Sequence, residues 1–185
     1  MIDSALLPVH GDRVSLRVLQ EADAAAFADG AADPAVQEYG HLPEPEYSPA
    51  SVREMIRAVA VPGLERGDLA VLAIARRATD AFAGSLVIFD VQEQGAEVGF
   101  WVHPGHRGLG IATAALDLAC RLCRASGLTE LRARTVPDNS ASQRTLGAAG
   151  FALERTAVDT TPAGERIALL HYARPLDDPA ASASL

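Results

Sequence analysis

The sequence predicts a mixed α/β domain whose central, mostly antiparallel sheet of six to seven strands is flanked by helices. Three observations carry this. Apolar runs at 69–76, 82–91 and 96–102 follow one another, with only the turn-forming Ala78-Thr79-Asp80 and Gln92-Glu93-Gln94-Gly95 between them, the pattern of an antiparallel meander. Beyond Pro104 and Gly105 the period becomes helical, with Ile111, Ala114, Ala115, Leu118, Ala119 and Leu122 spaced for one face. The composition, 49% hydrophobic and 22% charged over 185 residues with 5% aromatic, is that of one globular domain with an aliphatic core.

Each element has its own signal. Residues 13–18 alternate polar and apolar, as an edge strand does, and Gln20-Glu21-Ala22-Asp23 opens an Ala-rich helix running to about Ala31. Pro34, Pro43, Pro45 and Pro49 limit 33–49 to short helical turns in substrate-facing loops, ahead of a helix over about 49–66. After the meander, a helix is predicted over about 108–126 and closed by Gly127, followed by a strand at 131–136. Pro137-Asp138 makes a turn, and a second helix spans 139–149 before Gly150. Strands at 151–156 and 167–174, joined by a turn at Pro162-Ala163-Gly164, complete a single domain over 1–176. The small, polar segment 177–185 reads as a flexible tail. No internal repeat is visible.

Composition excludes several kinds of chemistry. The chain has no Lys, so its 16 cationic side chains are all Arg. Schiff-base catalysis, a Lys general base and a phosphate loop ending in Gly-Lys-Ser/Thr are therefore ruled out. A Lys-free, Arg- and Ala-rich chain points to a GC-rich bacterial genome. The net charge of -8 disfavours nucleic acid and anionic lipid and favours basic partners. No N-terminal stretch joins a basic leader to an apolar run, and none approaches the roughly 20 residues that span a bilayer, so a cytoplasmic location is expected. Cys120 and Cys123 lack nearby His and lie well inside the predicted helix, which gives them a structural role and predicts no metal.

The chemistry is expected at Arg107-Gly108-Leu109-Gly110-Ile111-Ala112, between a strand and the first turn of a helix. Glycines there let a ligand approach the main chain, and the unpaired N–H groups of a helix N-terminus converge on an anion. The helix dipole adds roughly 0.3–1 kcal/mol, and successive turn amides can form an anion nest. Glycines that serve only close packing would leave the same letters.

Four stretches together resemble the GNAT superfamily of acyl-CoA-dependent N-acetyltransferases, in the branch of the RimJ/RimL-type ribosomal-protein N-terminal acetyltransferases. Leu16-Arg17-Val18-Leu19 with Glu21-Ala22-Asp23 is similar to the family's opening strand and helix. Glu97-Val98-Gly99-Phe100-Trp101-Val102 is similar to its central strand, and Arg107-x-x-Gly110-x-Ala112 to its cofactor loop. Asn139-Ser140-Ala141-Ser142 with Gly150-Phe151 is similar to the helix and strand that follow. The likeness covers roughly 13–172 and implies a GNAT fold with acetyl-CoA as cosubstrate.

Residue by residue, the resemblance places the pyrophosphate on the backbone of Arg107, Gly108, Leu109, Gly110, Ile111 and Ala112, with the Arg107 side chain a further phosphate partner. It runs the pantetheine along the central strand near Val102, where a backbone N–H would also meet the developing oxyanion. Asn139 matches a cofactor-contacting position and would equally make a good N-cap. Ser142 matches the position that protonates the departing thiolate and would equally be an ordinary first-turn residue. Glu97 is the candidate base, or else an exposed strand carboxylate. His103 and His106 are expected to shape the turn or touch cofactor. Trp101 and Tyr39 line the acceptor cleft or belong to the core. Ala168 stands where the branch carries Asp, which leaves the acceptor open. The implied reaction is direct acetyl transfer to a primary amine, on a protein N-terminus or a cationic small molecule. A non-catalytic acyl-CoA-binding regulatory module is the alternative, and a homodimer is compatible with either.

Overall fold

The computed structural model describes residues 1–40, 42–160 and 166–176. Its strands are β1 (Val9–His10), β2 (Val14–Val18), β3 (Ala70–Arg76), β4 (Phe82–Phe89), β5 (Gly95–Val102), β6 (Glu130–Thr135), β7 (Ala152–Thr160) and β8 (Arg166–Pro175). Its helices are α1 (Ala24–Ala31), α2 (Pro34–Tyr39), α3 (Pro49–Met55), α4 (Val61–Arg66), α5 (Ile111–Ala125) and α6 (Ser140–Ala148). The strands form one sheet in the order β1-β2-β3-β4-β5-β6-β8-β7, antiparallel everywhere except between β5 and β6. The predicted fold class holds, with eight strands instead of six to seven. The additional one, β1, is two residues long and too short to show an alternation. The turn expected at 162–164 and the tail at 177–185 lie outside the described residues.

Prolines shape the segment between α1 and β3 by starting helices. Pro34 and Pro49 occupy first-turn positions, where a missing N–H costs nothing. Asp33 caps α2 by accepting from the Ala35 and Val36 amides, and Ser48 caps α3 through a reciprocal box with Ser51. The helix predicted over 49–66 is interrupted by a π turn at Ile56–Ala60. Pro62 just beyond it has no N–H to donate backwards, so the ladder must be re-registered there.

Two apolar clusters sandwich the sheet. On one side α5 lays Leu116, Leu118 and Leu122 against Leu16, Leu72, Leu86 and Leu131. Full burial of each such side chain is worth roughly 1.5–3 kcal/mol. On the other side Phe27, Val36, Val52 and Ile56 pack on Ala73, Phe82 and Trp101. Cys120 and Cys123 are buried in α5, where burial pushes their thiols up to about 11 and about 12, so both stay protonated. No helix among the described residues is long and apolar enough to cross a membrane.

Candidate active site

The site begins where the two parallel strands separate. β5 pairs with β6 only from Gly95 to Glu97, against Glu130 to Arg132. Beyond Glu97, residues 98–102 keep their pairing to β4 but have no strand partner on the β6 side. An edge whose backbone groups have no strand partner therefore opens in the middle of the sheet. Because the strands are parallel, the helices that follow them, α5 and α6, both start at the mouth of this fork.

The start of α5 differs from those of α2, α3 and α6; α1 and α4, which also lack a side-chain cap, run on directly from a preceding helical turn. α2, α3 and α6 each have a side chain bonded to their first amides, whereas Gly110 at the head of α5 supplies none. Instead Gly108 and Gly110 take left-handed φ values of 74° and 69°, so α5 begins at Ile111 and not near Gly108 as the helical period predicts. The N–H groups of 108–113 make no hydrogen bond among the described residues. A Cβ built on Gly108 meets nothing within 4 Å, and one on Gly110 only the Arg13 guanidinium at 3.7 Å. The loop is thus a solvent-open row of donors at a positive helix end, an arrangement that can accept an anion.

The neighbouring cations are differently engaged. Arg107 pairs with the Asp33 carboxylate and donates through Nε to the Val102 carbonyl at 3.3 Å, so it ties the loop to the head of α2. Its own N–H donates to the Pro104 carbonyl. That ion pair holds the Asp33 carboxyl below its ordinary value. Arg13, which the sequence reading left out of the site, donates to the Leu109 carbonyl at 3.1 Å and stands exposed beside Gly110. Nothing in its surroundings in sequence marks it, because the contact spans 96 positions.

A cleft of about 850 Å³ runs from this loop through the fork onto the opposite sheet face. Glu97, Val102, Gly110, Asn139 and Ser142 all line it. Asn139 is the N-cap of α6, accepting from the Ser142 amide at 3.0 Å, and lines the cleft as well. Ser142 is half-buried, and its hydroxyl has no hydrogen-bond partner among the described residues. Glu97 is held by Arg134, whose Nε donates to Oε1 at 2.8 Å; Arg134 also pairs with Asp159 at 3.2 Å. Burial pushes the Glu97 carboxyl above its ordinary range, and the Arg134 guanidinium opposes the shift. The sequence reading missed Arg134, although the Arg-Ala-Arg alternation of β6 places it on one sheet face with Arg132.

His103 shapes the turn before the loop. Its Nδ1 accepts from the Gly105 amide and its Nε2 meets Asp29 at 2.9 Å. His106 lines the cleft, with burial lowering its pKa. Trp101 is a core residue whose ring meets Phe27 and Phe82 edge-on, and its accessible rim, like Tyr39, lines the cleft. Ala168 lies exposed on β8 opposite Val158, outside the cleft. Among the described residues no group of three or more His, Cys, Asp or Glu is placed to hold a metal ion.

Comparison with known proteins bears on the fold and the family. Among curated protein sequences none is significantly similar to the chain. Mycobacterium smegmatis RimJ, solved in complex with a CoA-disulfide, is 25% identical and superposes with a TM-score of 0.77 over 88% of this chain and 81% of its own. An acetyltransferase from Salmonella typhimurium, described as modifying the N-terminal serine of ribosomal protein L7/L12, shares the fold at 19% identity. Its TM-score is 0.76, with 92% of this chain and 99% of that one covered. The ribosomal-protein-S5-alanine acetyltransferase of Vibrio fischeri does so at 16% identity and a TM-score of 0.75, over 93% and 98%. The family model described as "Acetyltransferase (GNAT) domain" matches residues 13–152, which takes in β2 to β6 with the fork, the glycine loop and α6, and on that match the chain belongs to the GNAT acetyltransferases.

Proposed function

We propose that the protein transfers an acetyl group from acetyl-CoA directly to a primary amine, with the α-amino group of a peptide as the chemically favoured acceptor. The observation that carries this is the unengaged row of amides at 108–113 opening into the same cleft as Glu97 and Ser142. The CoA-bound RimJ relative supports the choice of cosubstrate.

Each residue then has a task. The amides of Gly108, Leu109, Gly110, Ile111 and Ala112 hold the diphosphate, with the exposed Arg13 guanidinium as the neighbouring cation. The unpaired edge of β5 up to Val102 takes the pantetheine as an added strand. Glu97 accepts the proton the amine gives up, directly or through water, as the C–N bond forms. Ser142 donates a proton to the sulfur as the C–S bond breaks. An α-amino group, with a pKa of about 7.7–8.0, needs far less help than a side-chain amine near 10.4. Positioning and polarisation supply the acceleration. Neither cysteine can carry an acyl-enzyme, since both thiols are buried and protonated.

Release of thiol from acetyl-CoA, followed with and without amines that include N-terminal peptides, amino acids and aminoglycosides, is the test. Amine-dependent release establishes transfer. Cofactor binding without such release overturns it in favour of a non-catalytic acyl-CoA-binding module.

A further inference from the structure

Folding leaves one face of the sheet incompletely covered, and it is the face on which Glu97 stands. Alternation along β5 puts Glu97, Gly99 and Trp101 on one side. Register then aligns Val87 of β4 beside Gly99, and Val71 of β3 beside Val87, while Phe89 lies beside Glu97. Val71, Val87 and Phe89 are only half-buried, as is Met55, which faces the same cleft from α3. Central strands normally bury such side chains completely, as Leu72, Leu86 and Ile88 are buried on the opposite face. Gly99 adds depth, since a Cβ there would come within 3.2 Å of the Val87 methyl group.

Carboxylates are sparse along this apolar row itself; Asp90, Glu130, Glu154 and Asp159 line a separate depression beyond Glu97, together with Arg132, Arg134 and Arg155. Among the described residues lining the cleft, Glu97 is the one carboxylate, and Arg134 already occupies one of its oxygens. A polycationic acceptor such as an amino sugar would bring several ammonium groups to a wall with a single, partly engaged anion, at the cost of their hydration. An acceptor with one ammonium group and an apolar body matches both ends of the row.

On the acetyl-transfer reading above, we propose that the acceptor is a primary amine bearing a compact apolar substituent, aromatic or branched aliphatic, next to the amino group. The substituent lies on Val71, Val87 and Gly99 while the amine sits at Glu97. The same chemistry is offered by the first residue of a peptide and by a free aralkyl or branched alkyl amine.

The experiment compares kcat/KM from thiol release with the full chain and acetyl-CoA. One arm uses peptides identical except for a first residue of Leu, Phe, Ser or Lys. The other uses 2-phenylethylamine and isopentylamine against an aminoglycoside. The apolar acceptors of at least one arm should exceed their polar or cationic counterparts by about 10-fold or more, as hydrophobic pockets discriminate, and the arm that does so identifies the source. Val87→Phe, with Val71→Phe as a second variant should the first fold poorly, should raise KM for the preferred acceptor about 10-fold and leave coenzyme A affinity unchanged. Equal or better turnover of Ser, Lys and aminoglycoside acceptors overturns the inference and leaves acetyl transfer standing. Absence of turnover with every amine overturns acetyl transfer and the inference together.

Discussion

The Arg17 guanidinium is buried beneath the sheet edge and makes a two-pronged pair with Asp23, at 2.7 and 2.9 Å, while its Nε reaches Asp80 at 2.9 Å. Asp23 also accepts from the Gln20 amide, so one carboxylate both neutralises the strand's charge and starts the helix. This gives a physical reason for the Arg and Asp of the opening strand-and-helix motif. Replacing Asp23 by Ala leaves a buried cation half-paired and should cost about 3–5 kcal/mol in a urea melt; a loss under 1 kcal/mol would show that solvent reaches the pair. A second residue-scale prediction concerns Glu97. Its folded pKa is raised, chiefly by burial, so the neutral form is favoured on folding, and the stability this group contributes falls as pH rises from the ordinary carboxylate value through the raised one. Carboxyl-carbon NMR should show Glu97 titrating above exposed Glu side chains, and Arg134→Ala should move it higher still. A Glu97 titrating below them would remove it as a tunable base.

At the scale of elements, the sequence displayed whatever depends on local periodicity and concealed whatever depends on pairing across the sheet. The meander, α5, α6 and their glycine stops at Gly127 and Gly150 were legible from runs, helical spacing and turn residues. The glycine turn at the head of α5 was legible because its ingredients are consecutive. The fork was not, since nothing in the letters of β5 or β6 says that their pairing ends at Glu97. Nor were the partners of Arg107, Arg13 and Arg134, which lie 74, 96 and 37 positions away. The π turn escaped for the opposite reason, because a local period can continue through a proline while the backbone cannot. Asn139 illustrates a residue whose two readings were both open to it, since a cap at the fork mouth is necessarily beside any ligand there. One turn on, Ser142 is held at the α6 N-terminus with its hydroxyl uncommitted. Ser142→Ala should therefore leave the helix and coenzyme A affinity nearly intact and lower kcat by on the order of 10²-fold, as loss of a positioned acid does. Steady-state kinetics beside calorimetry decide it, and an unchanged kcat would exclude Ser142 as the proton donor.

Across the whole molecule, the two apolar clusters meet only through the sheet, and the sheet is interrupted at the fork. One cluster holds β3 to β5 to the α1–α3 side, the other packs α5 and α6 on the reverse, and β6 with the paired β7 and β8 continues beyond the gap. A molecule bound along the β5 edge with its diphosphate on the head of α5 and its thiol end near α6 would touch elements on both sides of that interruption. Binding only the folded form, it must stabilise the whole chain by mass action. Coenzyme A at a hundredfold its Kd should contribute about 2.7 kcal/mol. For a domain of this size each kcal/mol moves Tm by roughly 2–4 °C, so the melting transition should rise by about 5–11 °C. Gly110→Glu supplies the control. It places a side chain and a negative charge where the donor row is open, at a left-handed position that costs a non-glycine residue about 1–2 kcal/mol. The variant should melt slightly lower than the parent and show no shift with coenzyme A. A parent protein whose Tm is unmoved at millimolar coenzyme A, or a Gly110→Glu protein that shifts as much as the parent, would mean that the amides at the head of α5 do not hold the diphosphate.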